Sequence, residues 1–102
     1  MPSYYNKGIV LSKIGKYQEA IKNYNLAIKH NPNIAESYLE KGITLFKLRK
    51  FKEAKENFNL ALKYNSNLIT GYEKGIKLLR KLDNNIMADD FEEKLRILKD
   101  NL

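Results

Sequence analysis

Asp89, Asp90, Glu92 and Glu93 place four carboxylates within five positions, and His30 is the only imidazole in the chain. These are the residue types that hold a divalent cation or move a proton near neutral pH. Their spacing argues against both uses. On a helix, residues 89 and 92 or 89 and 93 share a face, but only as a solvated acidic strip. Negative charge early in a helix is favoured by the helix dipole alone. His30 is flanked by Lys29 and Asn31, poor companions for a metal site or a catalytic triad, so a packing role is expected of it. There is no cysteine, which removes thiolate ligands, thiol nucleophiles and disulfides. Neither a glycine-rich phosphate loop nor a His–Glu metalloprotease signature occurs. No metal, cofactor or enzymatic activity is expected.

Charge suggests a binding function instead. The 102 residues carry a net charge of +7, distributed unevenly. Residues 1–34 hold five Lys and one Glu, residues 35–67 seven basic and four acidic groups, and residues 68–102 seven of each. A cationic face with aromatic residues can suit single-stranded nucleic acid, whose bases stack on rings along a basic track. Here Lys7, Lys16, Lys22, Lys29, Lys50, Lys52 and Lys63 are spread over several faces, and Glu36, Glu40 and Glu73 lie along the would-be track. Nucleic acid is therefore not the expected partner. No stretch approaches the roughly 18 apolar residues of a membrane span, and the N-terminus lacks the pattern of a signal peptide. A soluble, cytoplasmic chain forming one domain over residues 1–102 is expected.

The elements that position these residues are helices. Tyr17, Ala20, Ile21, Tyr24, Ala27 and Ile28 follow the i, i+3, i+4, i+7 spacing of one buried face, and Phe51, Ala54, Phe58, Ala61 and Leu62 repeat it. Helices are expected at about 3–14, 17–30, 35–48, 51–64, 68–82 and 86–100, forming three hairpins. Gly15 can close the first helix in a left-handed turn, and Asn31-Pro32 ends the second because proline cannot continue it.

The hairpins are copies of one another. Tyr4, Gly8, Leu11, Ala20, Tyr24 and Ala27 return 34 residues later as Tyr38, Gly42, Leu45, Ala54, Phe58 and Ala61. A worn third copy follows: Glu40-Lys41-Gly42-Ile43 returns as Glu73-Lys74-Gly75-Ile76 at an offset of 33. That offset maps Phe58 to Phe91 but replaces Ala54 by Met87 and Ala61 by Lys94. An offset of 34, which pairs Ala54 with Ala88, is the rival and is disfavoured at Gly75. Glycine inside a helix costs about 1 kcal/mol relative to alanine. Its presence at Gly8, Gly42 and Gly75 is expected to let Ala20 or Ala54 of the facing helix come close, with Tyr24, Phe58 and Phe91 filling the space one turn on.

Tyr4, Gly8, Leu11, Ala20, Tyr24, Ala27 and Pro32 resemble the tetratricopeptide repeat pattern at that family's own spacing. The resemblance covers two repeats closely (about 1–34 and 35–67) and a degenerate third (about 68–102) that is expected to act as a cap. Departures are Lys7 and Lys41 at usually apolar positions, and Ser66 in place of proline. The pentatricopeptide family, which reads RNA, has a longer period and lacks this signature. The resemblance implies an all-α, right-handed superhelical solenoid whose first helices line a concave, partner-binding groove. Carried over residue by residue, that groove would be lined by Tyr5, Ile9, Ser12 and Lys13, then Leu39, Ile43, Phe46 and Lys47, then Tyr72, Ile76, Leu79 and Arg80. Eight apolar groups would run beside a basic rail of Lys13, Lys47 and Arg80. Each apolar group could instead be core, and the case for core is stronger for Ile9, Ile43 and Ile76.

The expected function is that of a non-catalytic adaptor or scaffold binding a protein or peptide. Its ligand would be an amphipathic helix or extended segment, apolar on one side and acidic on the other. The alternative partner is a second copy of the chain, because the front edge of the first helix has no element covering it. Some adaptors of this family clamp a partner's C-terminal carboxylate with Lys, Asn and Arg side chains. The matching positions here are Tyr5, Ile9, Glu40, Ile69 and Glu73; none fits, and no such clamp is expected.

Overall fold

Ser3 opens the first helix: its hydroxyl accepts the Asn6 N–H at 3.2 Å, satisfying a donor that a helix start leaves free. The computed structural model describes residues 3–102 and contains six helices. They are α1 (Tyr4–Lys13), α2 (Tyr17–His30), α3 (Ala35–Lys47), α4 (Phe51–Tyr64), α5 (Leu68–Lys81) and α6 (Asn85–Asp100). The expected bounds agree to within one residue, and no strand occurs among the described residues.

The turn inside each hairpin repeats. Gly15, Arg49 and Asp83, spaced by 34, take positive φ values of 82°, 62° and 58°. The next N–H in each case, of Lys16, Lys50 and Asn84, donates to the carbonyl five residues back, at 2.8, 2.9 and 2.9 Å. This is the helix stop expected at Gly15. Arg49 and Asp83 adopt it without glycine's freedom, so each stores some backbone strain.

Within the first two hairpins the glycines face rings. A Cβ added at Gly8 would lie 2.6 Å from Tyr24 Cε1, and one at Gly42 would lie 2.5 Å from Phe58 Cε1. The aromatic rings expected to fill the space one turn on lie against the glycines themselves: the nearest atoms at both belong to the ring. Ala20, Tyr24, Ala54, Phe58 and Ala61 are fully buried. Tyr24 differs from Phe58 by a hydroxyl that is buried without a hydrogen-bond partner. Thr44 bears on that phenol, but its own hydroxyl donates to the Glu40 carbonyl at 2.9 Å.

A second aromatic pair locks the open end of each of these hairpins. Tyr4 stacks on His30 with ring centroids 5.5 Å apart, and Tyr38 stacks on Tyr64 at 5.4 Å. The Tyr38 hydroxyl also donates to the Pro32 carbonyl at 2.6 Å, tying the second hairpin to the end of the first. His30 thus has the packing role expected of it.

The third hairpin departs from this plan. At an offset of 33 the locking pair becomes Gly71 and Ile97, so no rings hold its open end. Gly75 still faces the Phe91 ring, but at a looser 3.2 Å. The small residue opposite is not lost as expected. Ala88 is fully buried and Met87 is 47% exposed, so this position follows the offset of 34 that was disfavoured. Mixing the two offsets rotates one part of the helix against the other by about 100°. The outcome shows in the stacking. α3 packs on both α2 and α4, whereas α5 packs on α6 and makes only marginal contact with α4; α6 instead packs on α3.

Candidate protein-binding groove

The concave face begins with α1 and α3, whose i, i+4 spacing aligns Tyr5, Ile9 and Lys13 beside Glu36 and Glu40. These two rows bound a hollow of about 500 Å³ together with Leu68, Gly71 and Tyr72 of α5 and Met87, Asp90, Phe91 and Lys94 of α6. A much smaller gap of about 40 Å³ separates Ile9, Ser12, Ile43 and Lys47 from Asp90, Glu93 and Lys94. The last helix therefore lies against the face that sequence assigned to a partner.

Apolar and charged contacts hold it there. Leu39 and Ile43 are 1% and 3% exposed and share one buried cluster with Ile97 and Leu98 of α6. These two expected groove residues are consequently core, because α6 covers them. Lys94 Nζ lies 2.6 Å from Glu40 Oε1, with side chains only 16% and 7% exposed, and 3.3 Å from Asp90. Lys47 reaches Glu93 at 3.8 Å across the rim.

The other expected lining residues divide. Tyr5 and Ile9 are half-buried at the groove, Lys13 is exposed at its edge, and the Ser12 hydroxyl lies 3.3 Å from that of Thr44. Phe46 is half-buried and meets Phe51 edge-on at 5.4 Å. Tyr72 joins the groove, packed on Phe91 at 4.9 Å. Ile76, Leu79 and Arg80 border neither hollow, because α5 leaves the array after its first turns. Arg80 is instead bound to α6, with Asp89 at 2.6 Å, Glu92 at 3.0 Å and Asn85 at 3.0 Å. The basic rail thus keeps Lys13 and Lys47 and loses Arg80. The acidic strip, expected to be solvated, is largely neutralised by Arg80, Lys47 and Lys94.

The Glu40–Lys94 pair was missed from sequence, although a signal for it exists. Lys94 stands where the earlier copies place the half-buried Ala27 and the fully buried Ala61, and a lysine there needs either solvent or a carboxylate. Burial would lower the Lys94 ammonium, but the Glu40 carboxylate, with Asp90, outweighs it and the net shift is upward. Burial, reinforced by Glu40, raises the Tyr5 phenol well above its usual range and pushes Tyr72 up to about 12. Burial also raises Tyr24. These phenols stay protonated at neutral pH and can only give or accept hydrogen bonds. A further hollow of about 720 Å³, between the open end of the first hairpin and the start of α3, is lined in part by His30, whose ring is committed to Tyr4. No group of three or more His, Cys, Asp and Glu side chains able to hold a metal ion occurs among the described residues. None of the described helices is long and apolar enough to cross a membrane.

Solved structures share the fold. Among curated proteins nothing matches. Among solved structures, the second TPR domain of Spaghetti (RPAP3) bound to the HSP90 peptide SRMEEVD is 21% identical, with a TM-score of 0.65 over 94% of this chain and 89% of that one. The first TPR domain of Spaghetti (RPAP3), bound to the same peptide, is 26% identical, with a TM-score of 0.64 over 97% and 79%. The complex of the yeast Sti1 TPR2B domain with Hsp70 is 22% identical, with a TM-score of 0.64 over 93% and 76%. Tetratricopeptide repeat models match residues 2–34 and 35–68. With two matched repeats over most of its length and helical hairpins of the same fold, the chain belongs to the tetratricopeptide repeat family.

Proposed function

We propose that the chain is a non-catalytic interaction module whose concave face, floored by α1 and α3, takes an amphipathic helix or extended peptide of a protein partner. One observation carries this reading: the face already holds a helix of that kind, apolar toward Leu39 and Ile43 and charged toward Glu40 and Lys47. A surface that accommodates α6 has the shape and charge for a similar segment from elsewhere.

The solved relatives hold HSP90 and Hsp70 peptides, but this ligand does not transfer. The positions a carboxylate clamp would use are Tyr5, Ile9, Glu40, Ile69 and Glu73, and Glu40 is already paired with Lys94. Two labelled peptides test the proposal on the full chain: one with the sequence of Asn85–Asp100, the other SRMEEVD. The first is expected to bind, and Ile9→Asp, at the half-buried rim, is expected to weaken it about tenfold, or roughly 1.4 kcal/mol. The second is expected not to bind. Tight SRMEEVD binding that Ile9→Asp leaves untouched contradicts the reading.

Self-association is the second reading, and Val10 on α1 and Ile14 at its C-terminal end favour it, standing 58% and 62% exposed. Light scattering across a concentration series decides it, since a constant monomer mass removes this option.

A further inference from the structure

We propose that α6 is a displaceable occupant of the concave face, and that the partner is a helix of α6-like chemistry, apolar on one flank and acidic on the other, which binds by evicting it. This rests on the groove reading above and adds how access to the groove is controlled. The third hairpin has two places to go, and the structure shows it in one of them.

The unused place is written in the sequence. Leu45, on the second copy's first helix, is 2% exposed in a helix that packs on both α2 and α4. Its counterpart Leu78 is 58% exposed on α5, and Leu82, 34 residues beyond the half-buried Leu48, is 67% exposed. α5 thus keeps the apolar face that the repeat uses to dock on the preceding hairpin, yet leaves it in water. Stacking α5 on α4 in the manner of α3 on α2 would cover Leu78 and Leu82 and withdraw α6 from the groove. The arrangement seen does the reverse: it covers Leu39 and Ile43 and exposes the α5 face.

The hold on the groove is slight enough to reverse. Of α5 only Leu68 is fully buried, and of α6 only Ala88, Ile97 and Leu98. The ring pair that closes the other hairpins is absent, and one shielded ion pair, Lys94–Glu40, supplies the polar anchor. A small gap between two packings of one hairpin is the condition under which a ligand with differential affinity selects a state. The partner's chemistry follows from what α6 leaves behind: a covered apolar floor, the buried Glu40, which calls for one cation in the place of Lys94, and then Lys47 on the rim and Lys13, which has no ion-pair partner among the described residues.

The test uses the full chain and the labelled Asn85–Asp100 peptide. Lys94→Glu sets α6 against Glu40 and is expected to tighten peptide binding at least tenfold over the parent. Should that variant fail to fold, Lys94→Gln replaces it with a smaller gain. Adding Leu82→Lys, which spoils stacking on α4 while sitting in solvent in the arrangement seen, is expected to reverse the gain. Equal peptide affinity with and without the Lys94 change, still weakened about tenfold by Ile9→Asp, overturns the gate and leaves the groove reading intact. No peptide binding to any form overturns both.

Discussion

The second and third hairpins carry the same tetrapeptide, Glu-Lys-Gly-Ile, and the same aromatic residue sixteen positions after its glycine, yet they expose different faces. Around Gly42 everything is closed: Phe58 is fully buried and Tyr38 stacks on Tyr64. Around Gly75 the ring of Phe91 is half-buried, Gly71 has nothing within 4 Å of an added Cβ, and Leu78 and Leu82 face solvent. Repeat identity alone does not determine stacking. The locking ring pair and the register between turn and glycine decide which helix of a hairpin meets its neighbour.

The sharpest way to break this comparison is to add one methyl group to each glycine. Gly42→Ala places Cβ 2.5 Å from a ring that is enclosed on all sides. Overpacking there is expected to cost about 2–3 kcal/mol. In a chain of this size that lowers the thermal midpoint by roughly 10–20 °C. Gly75→Ala meets Phe91 at 3.2 Å, where the half-buried ring has room to yield, and gains about 0.5–1 kcal/mol of helix propensity. Its midpoint is expected to stay within a few degrees of the parent. Equal losses at the two sites would show that the third hairpin is packed as tightly as the second.

A smaller effect is expected from alkali. Tyr5, Tyr24, Tyr72 and Lys94 all have pKa values raised by folding. Above about pH 10 the unfolded chain releases these protons while the folded chain retains them, so folding is progressively disfavoured. Stability is expected to be flat through neutral pH with respect to these groups and to fall beyond pH 10. An absorbance titration of tyrosinate should show these phenols lagging behind the exposed ones until the chain unfolds. A single smooth transition near the ordinary phenol pKa would contradict their burial.

Much of the fold was legible because period and side-chain size are local signals. The 34-residue spacing and the alternation of Gly8 with Tyr24 placed every helix to within one residue. Of the positions expected to line a groove, Tyr5, Ile9 and Lys13 of α1 and Tyr72 of α5 border one hollow. What failed was the assumption that the third copy continues the array. Leu39 and Ile43 were expected to face a partner and are buried under α6; Ile76, Leu79 and Arg80 were expected in the groove and lie outside it. The reason is non-local. The third hairpin has Gly71 and Ile97 in place of a ring pair and a lysine at position 94, and neither change alters any helix signal. The acidic helix expected of a partner is present in the chain itself.

Exposure of the α5 face separates the third hairpin from the second most directly, and paired leucine substitutions measure it. Leu45→Lys and Leu78→Lys occupy equivalent places in consecutive copies, 2% and 58% exposed. In denaturant unfolding the first is expected to lose about 3 kcal/mol or more, because it buries an unpaired charge and forfeits leucine packing. The second is expected to change stability by less than about 0.5 kcal/mol. Comparable losses at both sites would mean that α5 stacks on α4 as an ordinary repeat, leaving the concave face open and α6 elsewhere.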